Sequence, residues 1–119
     1  MGHVYIPVKM GDPLRRRVKE VKMPVDTGAT YPRIPESLAT ELGLKLEFKT
    51  KVTLADGREV EAWYATAHIE IMGRGDLIPV RVFDVKEPLL GVFALEALGL
   101  AVDPVTGEIK PTRGFIARA

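Results

Sequence analysis

Asp26 ends an apolar run, Met23-Pro24-Val25, and is followed by Thr27-Gly28-Ala29. A carboxylate in that place needs a reason. Glycine has no Cβ, so backbone amides can approach the acid closely. The threonine hydroxyl can donate or accept a hydrogen bond that fixes the loop. A loop built this way holds an acid rigidly where its protonation can be tuned. The remaining aspartates, Asp12, Asp56, Asp76, Asp84 and Asp103, mostly stand beside Gly or Pro, where turn formation explains them. Other chemistries find little support. There is no cysteine, which removes thiol catalysis, disulfides and Cys-type zinc sites. Ser37 is the sole serine and has no glycine elbow around it. The histidines are His3 and His68; His68 shares a strand face with Glu70, a pair that falls short of the ligand set zinc requires.

The whole chain narrows the field further. A length of 119 residues predicts a single domain. Lys and Arg total 17 against 16 Asp and Glu, so no broad basic field marks a nucleic-acid binder. Arg15-Arg16-Arg17 is the one basic run and reads as a solvated hairpin end. No segment is long and apolar enough to span a membrane, and the N-terminus lacks the layout of a secretion signal, which predicts a cytoplasmic protein. Average usage predicts roughly 10 Asn and Gln. Their absence together with Cys is the depletion of thermolabile residues expected of a heat-adapted protein.

The elements that must position Asp26 are mostly strands. Val4, Ile6, Val8 and Met10 alternate with the period of a half-buried strand. Gly11-Asp12-Pro13 turns the chain, and residues 17–25 return. Pro35 at a first helical position, Glu36 behind it and Gly43 as a stop predict a short helix. A second helix, apolar nearly all round and therefore buried, is predicted over residues 92–98 with Gly99 as its stop. Between them, residues 46–54 and 59–72 flank Asp56-Gly57, a two-residue hairpin signal. Gly73-Arg74-Gly75-Asp76 is a further turn, residues 77–85 a further strand, and residues 103–107 a third hairpin signal. Residues 111–119 show no strong period and read as a tail after a domain over 1–110.

Val25-Asp26-Thr27-Gly28-Ala29, with the ordered features downstream of it, resembles the retropepsin-like (retroviral-type) aspartic proteases, in particular their single-domain bacterial and archaeal form. The downstream features are the helix ending Leu42-Gly43-Leu44, the Asp56-Gly57 hairpin, Ile69-Glu70-Ile71-Met72-Gly73, Ile78-Pro79-Val80-Arg81-Val82, and Leu89-Leu90-Gly91 opening a helix. The resemblance spans roughly residues 4–103 and implies a mainly β fold, a closed acid-protease β-barrel with one or two short helices.

The resemblance also implies an aspartic endopeptidase that uses no metal and no cofactor. Two carboxylates share one proton; the ionised one activates water and the protonated one polarises the scissile carbonyl. The chain carries one Asp-Thr-Gly, so the second Asp26 must come from a second copy across a twofold axis. Thr27 would lock the two loops together, and Gly28 and Ala29 would complete the loop. Ala55, Asp56, Gly57 and Arg58 would form a flap closing over an extended peptide or unfolded protein. Ile34, Val82 and Pro88 of the Lys86-Glu87-Pro88 loop would line side-chain pockets. Trp63 and Tyr64 read as core. In places where retroviral enzymes usually carry two acids and an arginine stand Thr30, Tyr31 and Val92, so an ion pair is missing, and the flap tip is not glycine-rich. The alternative is a catalytically silent dimeric peptide- or protein-binding module of the same fold. The intact Asp-Thr-Gly favours the enzyme, because binding alone needs no paired acids.

Overall fold

In a computed structural model that describes residues 4–114, the alternation at the start of the chain forms β1 (Val4–Gly11), with Ile6, Val8 and Met10 turned into the core and Tyr5 and Lys9 outward. It pairs antiparallel with β2 (Val18–Val25), Val4 opposite Val25 and Gly11 opposite Val18. Only the last part of β2, Met23-Pro24-Val25, is buried, and this is the part that delivers Asp26. The connecting turn is held from within: Asp12 is buried, and its carboxylate accepts the Arg17 amide at 2.8 Å and Arg16 Nε at 3.2 Å. These bonds, the Arg17 amide foremost, hold the Asp12 carboxyl below its ordinary range against the opposing effect of burial.

After the aspartate loop come β3 (Arg33–Ile34) and α1 (Glu36–Leu42). Pro35 is extended and caps the helix rather than occupying its first turn, and Gly43 ends it at φ 69° as expected. β4 (Phe48–Thr53), β5 (Glu59–Ile71) and β6 (Arg74–Val82) follow, then α2 (Val92–Ala97), β7 (Leu100–Val102) and β8 (Ile109–Pro111). β5 is the longest strand and organises the rest. It pairs with β6 along one edge, and with β4 and β1 in succession along the other. The order is β2-β1-β5-β6-β3, and β3 joins β6 in parallel.

The sheet closes on itself through two residues. Leu89 exchanges both backbone hydrogen bonds with Arg33 of β3, at 2.9 Å each. Leu90 donates to Pro24 O at 2.9 Å and accepts from the Asp26 amide at 3.0 Å. Leu89-Leu90 therefore bridges β3 to β2 and completes a barrel around Met10, Met23, Ile34, Leu42, Ile69, Val80 and Leu98, all fully or almost fully buried. The expected mainly β barrel with two short helices is the observed fold.

Several details differ from the sequence reading. The Asp56-Gly57 signal closes a three-residue loop, not a two-residue one. Leu54 and Arg58 face each other, the Gly57 amide donates to Leu54 O, and Gly57 takes φ 87°, the arrangement of a type I turn followed by a glycine bulge. The turn between β5 and β6 is tighter than Gly73 to Asp76: Ile71 pairs with Arg74, and Met72 and Gly73 take φ 54° and 75°. A two-residue turn with both central φ positive matches the twist of the flanking strands. α2 is not buried all round, because Phe93 and Glu96 are exposed. The boundary expected after residue 110 falls inside β8, where Pro111 pairs with Leu100. Arg113 then donates to Glu96 O and Ala97 O, and Arg74 to Leu98 O and Gly99 O, so two guanidinium groups cover the end of α2. His3 and residues 115–119 lie outside the described residues. No helix among the described residues is long and apolar enough to cross a membrane.

Candidate active site

Asp26 stands where β2 leaves the barrel, directly against the closing bridge. Its amide donates to Leu90 O, and its carbonyl accepts the Ala29 amide at 3.1 Å, forming a tight turn. Within that turn the Gly28 amide reaches Asp26 Oδ1 at 2.8 Å. A Cβ on Gly28 would lie 3.2 Å from the same oxygen, so the missing side chain is what allows the close approach. Asp26 is half-buried, whereas Thr27 and Gly28 are exposed and Ala29 is buried beneath them.

The loop rests on Leu89-Leu90-Gly91 and the start of α2. Val92 and Phe93 donate to Ala29 O and Thr30 O at 3.0 and 2.9 Å. Gly91 passes so close that a Cβ there would sit 2.4 Å from Thr30 O and 2.8 Å from Ala29 O. The two short motifs singled out in the sequence, Asp-Thr-Gly-Ala and Leu-Leu-Gly, are therefore one structure. Each supplies the hydrogen-bond partners of the other.

Among the described residues Asp26 pairs with no cation, and the Thr27 hydroxyl makes no hydrogen bond within the chain. The result is an oriented, half-buried acid in a tight turn, beside a hydroxyl without a partner among the described residues.

Ala55, Asp56, Gly57 and Arg58 are all exposed at the end of the β4–β5 hairpin. Asp56 accepts both the amide and Nε of Arg58, at 3.0 and 2.7 Å, so the tip is organised by its own residues. The Arg58 amide, then its guanidinium, keep the Asp56 carboxyl below its ordinary value. No hydrogen bond or ion pair among the described residues joins this tip to the aspartate loop. The expected pocket residues separate. Pro88 is half-buried at the surface, but Ile34 and Val82 are fully buried and pair with each other across β3 and β6. They face the barrel interior, because the alternation that turns the half-buried Arg33 and Arg81 to the other face turns them inward. They support the site from behind and cannot line it. The loop of Pro88 is tied to β1 by the Tyr5 hydroxyl, which donates to Glu87 at 3.1 Å.

Sequence reasoning missed a cluster beside the loop. Arg81 lies between the rings of Tyr31 and Tyr64, 4.4 Å from each centroid; Tyr31 also meets Phe93, and Phe48 stacks on Tyr64. Tyr64 is thus a half-exposed stacking partner, not core, whereas Trp63 packs against the core. The available signal was Arg81 itself, alternating with Val80 and Val82 in an apolar strand. His68 packs across Gly75, and among the described residues no three His, Asp or Glu side chains gather in metal-binding geometry. Burial and the Arg15 guanidinium hold its imidazole below the usual value, against a smaller pull from Glu70 and Asp76. Two surface recesses, of about 420 and 300 Å³, are lined by Lys9, Arg15, His68 and Glu70 and by Asp12, Arg17 and Leu42 among others; neither includes the aspartate loop or the flap tip.

Comparison with known proteins agrees with this geometry. A search of curated proteins returns no match. Among solved structures, EIAV protease in complex with the inhibitor HBY-793 superposes with a TM-score of 0.69 at 20% identity, over 82% of this chain and 88% of that one. The family model described as aspartyl protease matches residues 6–94, which hold the aspartate loop, the β4–β5 hairpin and the Leu-Leu-Gly bridge. The chain belongs to the retropepsin-like aspartyl protease family and has the fold of a retroviral protease.

Proposed function

We propose that two copies of this chain form one aspartic endopeptidase site, with Asp26 of each copy at a shared twofold axis. The observation that carries this reading is the Asp26 loop. Its acid is oriented by the Gly28 amide at 2.8 Å, meets no cation among the described residues, and stands on a bridge that admits no side chain at Gly91. A single exposed carboxylate is poor at splitting an amide. Two brought together share one proton, which gives the site a base and an acid at once. The ionised Asp26 takes a proton from a water as it attacks the scissile carbonyl. The protonated Asp26 gives its proton to the carbonyl oxygen. The Asp26 that took the water's proton then passes it to the leaving nitrogen as the C–N bond breaks, and a hydroxyl of the tetrahedral intermediate returns a proton to the other carboxylate. Thr27 lies beside the acid with a free hydroxyl, suited to a hydrogen bond with the loop of the second copy. The β4–β5 hairpin acts as the lid, and an extended peptide lies beneath it as an added strand.

The test is cleavage of an unfolded protein by wild type and Asp26→Asn, across acidic to neutral pH and at raised temperature. Cleavage by wild type and none by the variant is expected, with both melting alike. Equal cleavage by both would overturn the role of Asp26. Binding of peptide without cleavage by either would leave a peptide-binding module.

A further inference from the structure

We propose that Arg81, with Arg33 beside it, binds a carboxylate of the substrate and makes this site selective for acidic peptides; the proposal rests on the peptidase reading above. Tyr64 of β5, Arg81 of β6 and Arg33 of β3 are directly opposite one another in successive strands, on the face turned away from the core. Like charges directly opposite destabilise a sheet. Arg33 and Arg81 nevertheless occupy such a pair, and neither forms a salt bridge with a carboxylate among the described residues. Their neighbours are aromatic: Phe83 lies 5.8 Å from the Arg33 guanidinium, and Tyr31 and Tyr64 enclose that of Arg81 at 4.4 Å on each side. Arg81 Nη1 is shielded from solvent and has no hydrogen-bond partner among the described residues.

An arginine held between two rings is a planar fork fixed in advance, with its charge delocalised and weakly hydrated, which suits it to a carboxylate. Its position also counts. Tyr31 belongs to the segment leaving the aspartate loop, while Tyr64, stacked on Phe48 of β4, belongs to the base of the flap hairpin. The guanidinium therefore links the segment leaving the Asp26 loop to the base of the β4–β5 hairpin, the two parts between which the peptidase reading lays an extended peptide. The carboxylate can come from a Glu or Asp side chain a few residues from the cut bond or from the end of a short peptide chain.

The experiment compares peptides that carry Glu or Gln at each position flanking the cut bond, each with a free or an amidated C-terminus. They are cleaved by wild type, Arg81→Met and Arg81→Lys, and each variant is checked for melting temperature. Wild type is expected to prefer Glu over Gln by about tenfold or more in kcat/KM at one position, falling with added salt. That preference should vanish in Arg81→Met and return in part in Arg81→Lys. A preference that follows the free C-terminus instead identifies the chain end as the source. Brisk cleavage of Glu and Gln peptides alike, with no effect of amidation, overturns the proposal and leaves the peptidase standing. If no peptide is cut, fluorescence anisotropy of the same peptides decides. Tighter, salt-sensitive binding of acidic ones that is lost in Arg81→Met supports the carboxylate site without catalysis, and equal or absent binding overturns it.

Discussion

Replacing Gly91 by alanine tests whether the aspartate loop owes its position to the bridge beneath it. Gly91 has φ −90°, which any residue adopts, so the substitution brings no backbone strain of its own. The added methyl carbon would stand 2.4 Å from Thr30 O and 2.6 Å from Thr30 C, whereas ordinary contact begins at 3.4 Å. Both neighbours are backbone, so no rotamer change relieves the clash. The loop and the start of α2 must separate by about 1 Å. That movement stretches the Val92 and Phe93 bonds to Ala29 O and Thr30 O. Two hydrogen bonds at about 1 kcal/mol each, with overpacking of about 1–3 kcal/mol, give a loss of about 3–5 kcal/mol. For a chain of this size, that lowers Tm by about 10–25 °C. On the proposed peptidase mechanism, a displacement of about 1 Å in Asp26 lowers kcat/KM on the order of 100-fold, so activity should fall even well below the new Tm. Calorimetry and a peptide-cleavage assay measure the two effects. Gly75→Ala is the control, because the nearest atoms to its methyl belong to side chains, the His68 ring at 2.7 Å from Cε1 and Glu70 Cβ at an ordinary 3.7 Å, and the ring can turn aside. If Gly91→Ala melts within about 2 °C of wild type and cleaves as fast, the loop is not seated as described.

Three further perturbations address separate parts of the molecule. Thr27→Val keeps the shape but removes the hydroxyl; at about 1 kcal/mol per subunit, the dimer dissociation constant should rise about 30-fold by analytical ultracentrifugation, and an unchanged value refutes a bond across the axis. Asp12→Asn should lower Tm at pH 7. Because the folded carboxyl is held below its ordinary value, its stabilisation is complete above the unfolded value near about pH 4 and is lost as pH falls through the folded one. The gap between wild type and Asp12→Asn should therefore close on acidification, and a gap constant from pH 7 to pH 2 contradicts the assignment. Gly57→Val places a branched residue at φ 87°, which costs about 1–2 kcal/mol, so hydrogen exchange at residues 54–58 should accelerate and KM for peptides should rise. Unaltered exchange and KM would show that the flap tolerates the strain without consequence.

Alternating apolar residues specified β1 and the inward face of β6, because a strand with one buried face must repeat every second residue. Gly43 and Gly99 marked helix ends, since φ near 69° is readily adopted by glycine alone. Asp26-Thr27-Gly28 was legible as a rigid acid because its support is local: the Gly28 amide comes from two residues away. Local sequence is silent on contacts between distant segments. Leu89-Leu90 closing the barrel depends on Pro24 and Arg33, more than 50 residues earlier, and the need for glycine at 91 exists only because Thr30 O arrives against it. Ile34 and Val82 carry the composition of a pocket wall, yet the pairing of β3 with β6 turns both inward and Arg33 and Arg81 to the opposite face. Which residues face a substrate is decided by register, and in a parallel pair joined through a distant bridge, register is a property of the assembled barrel.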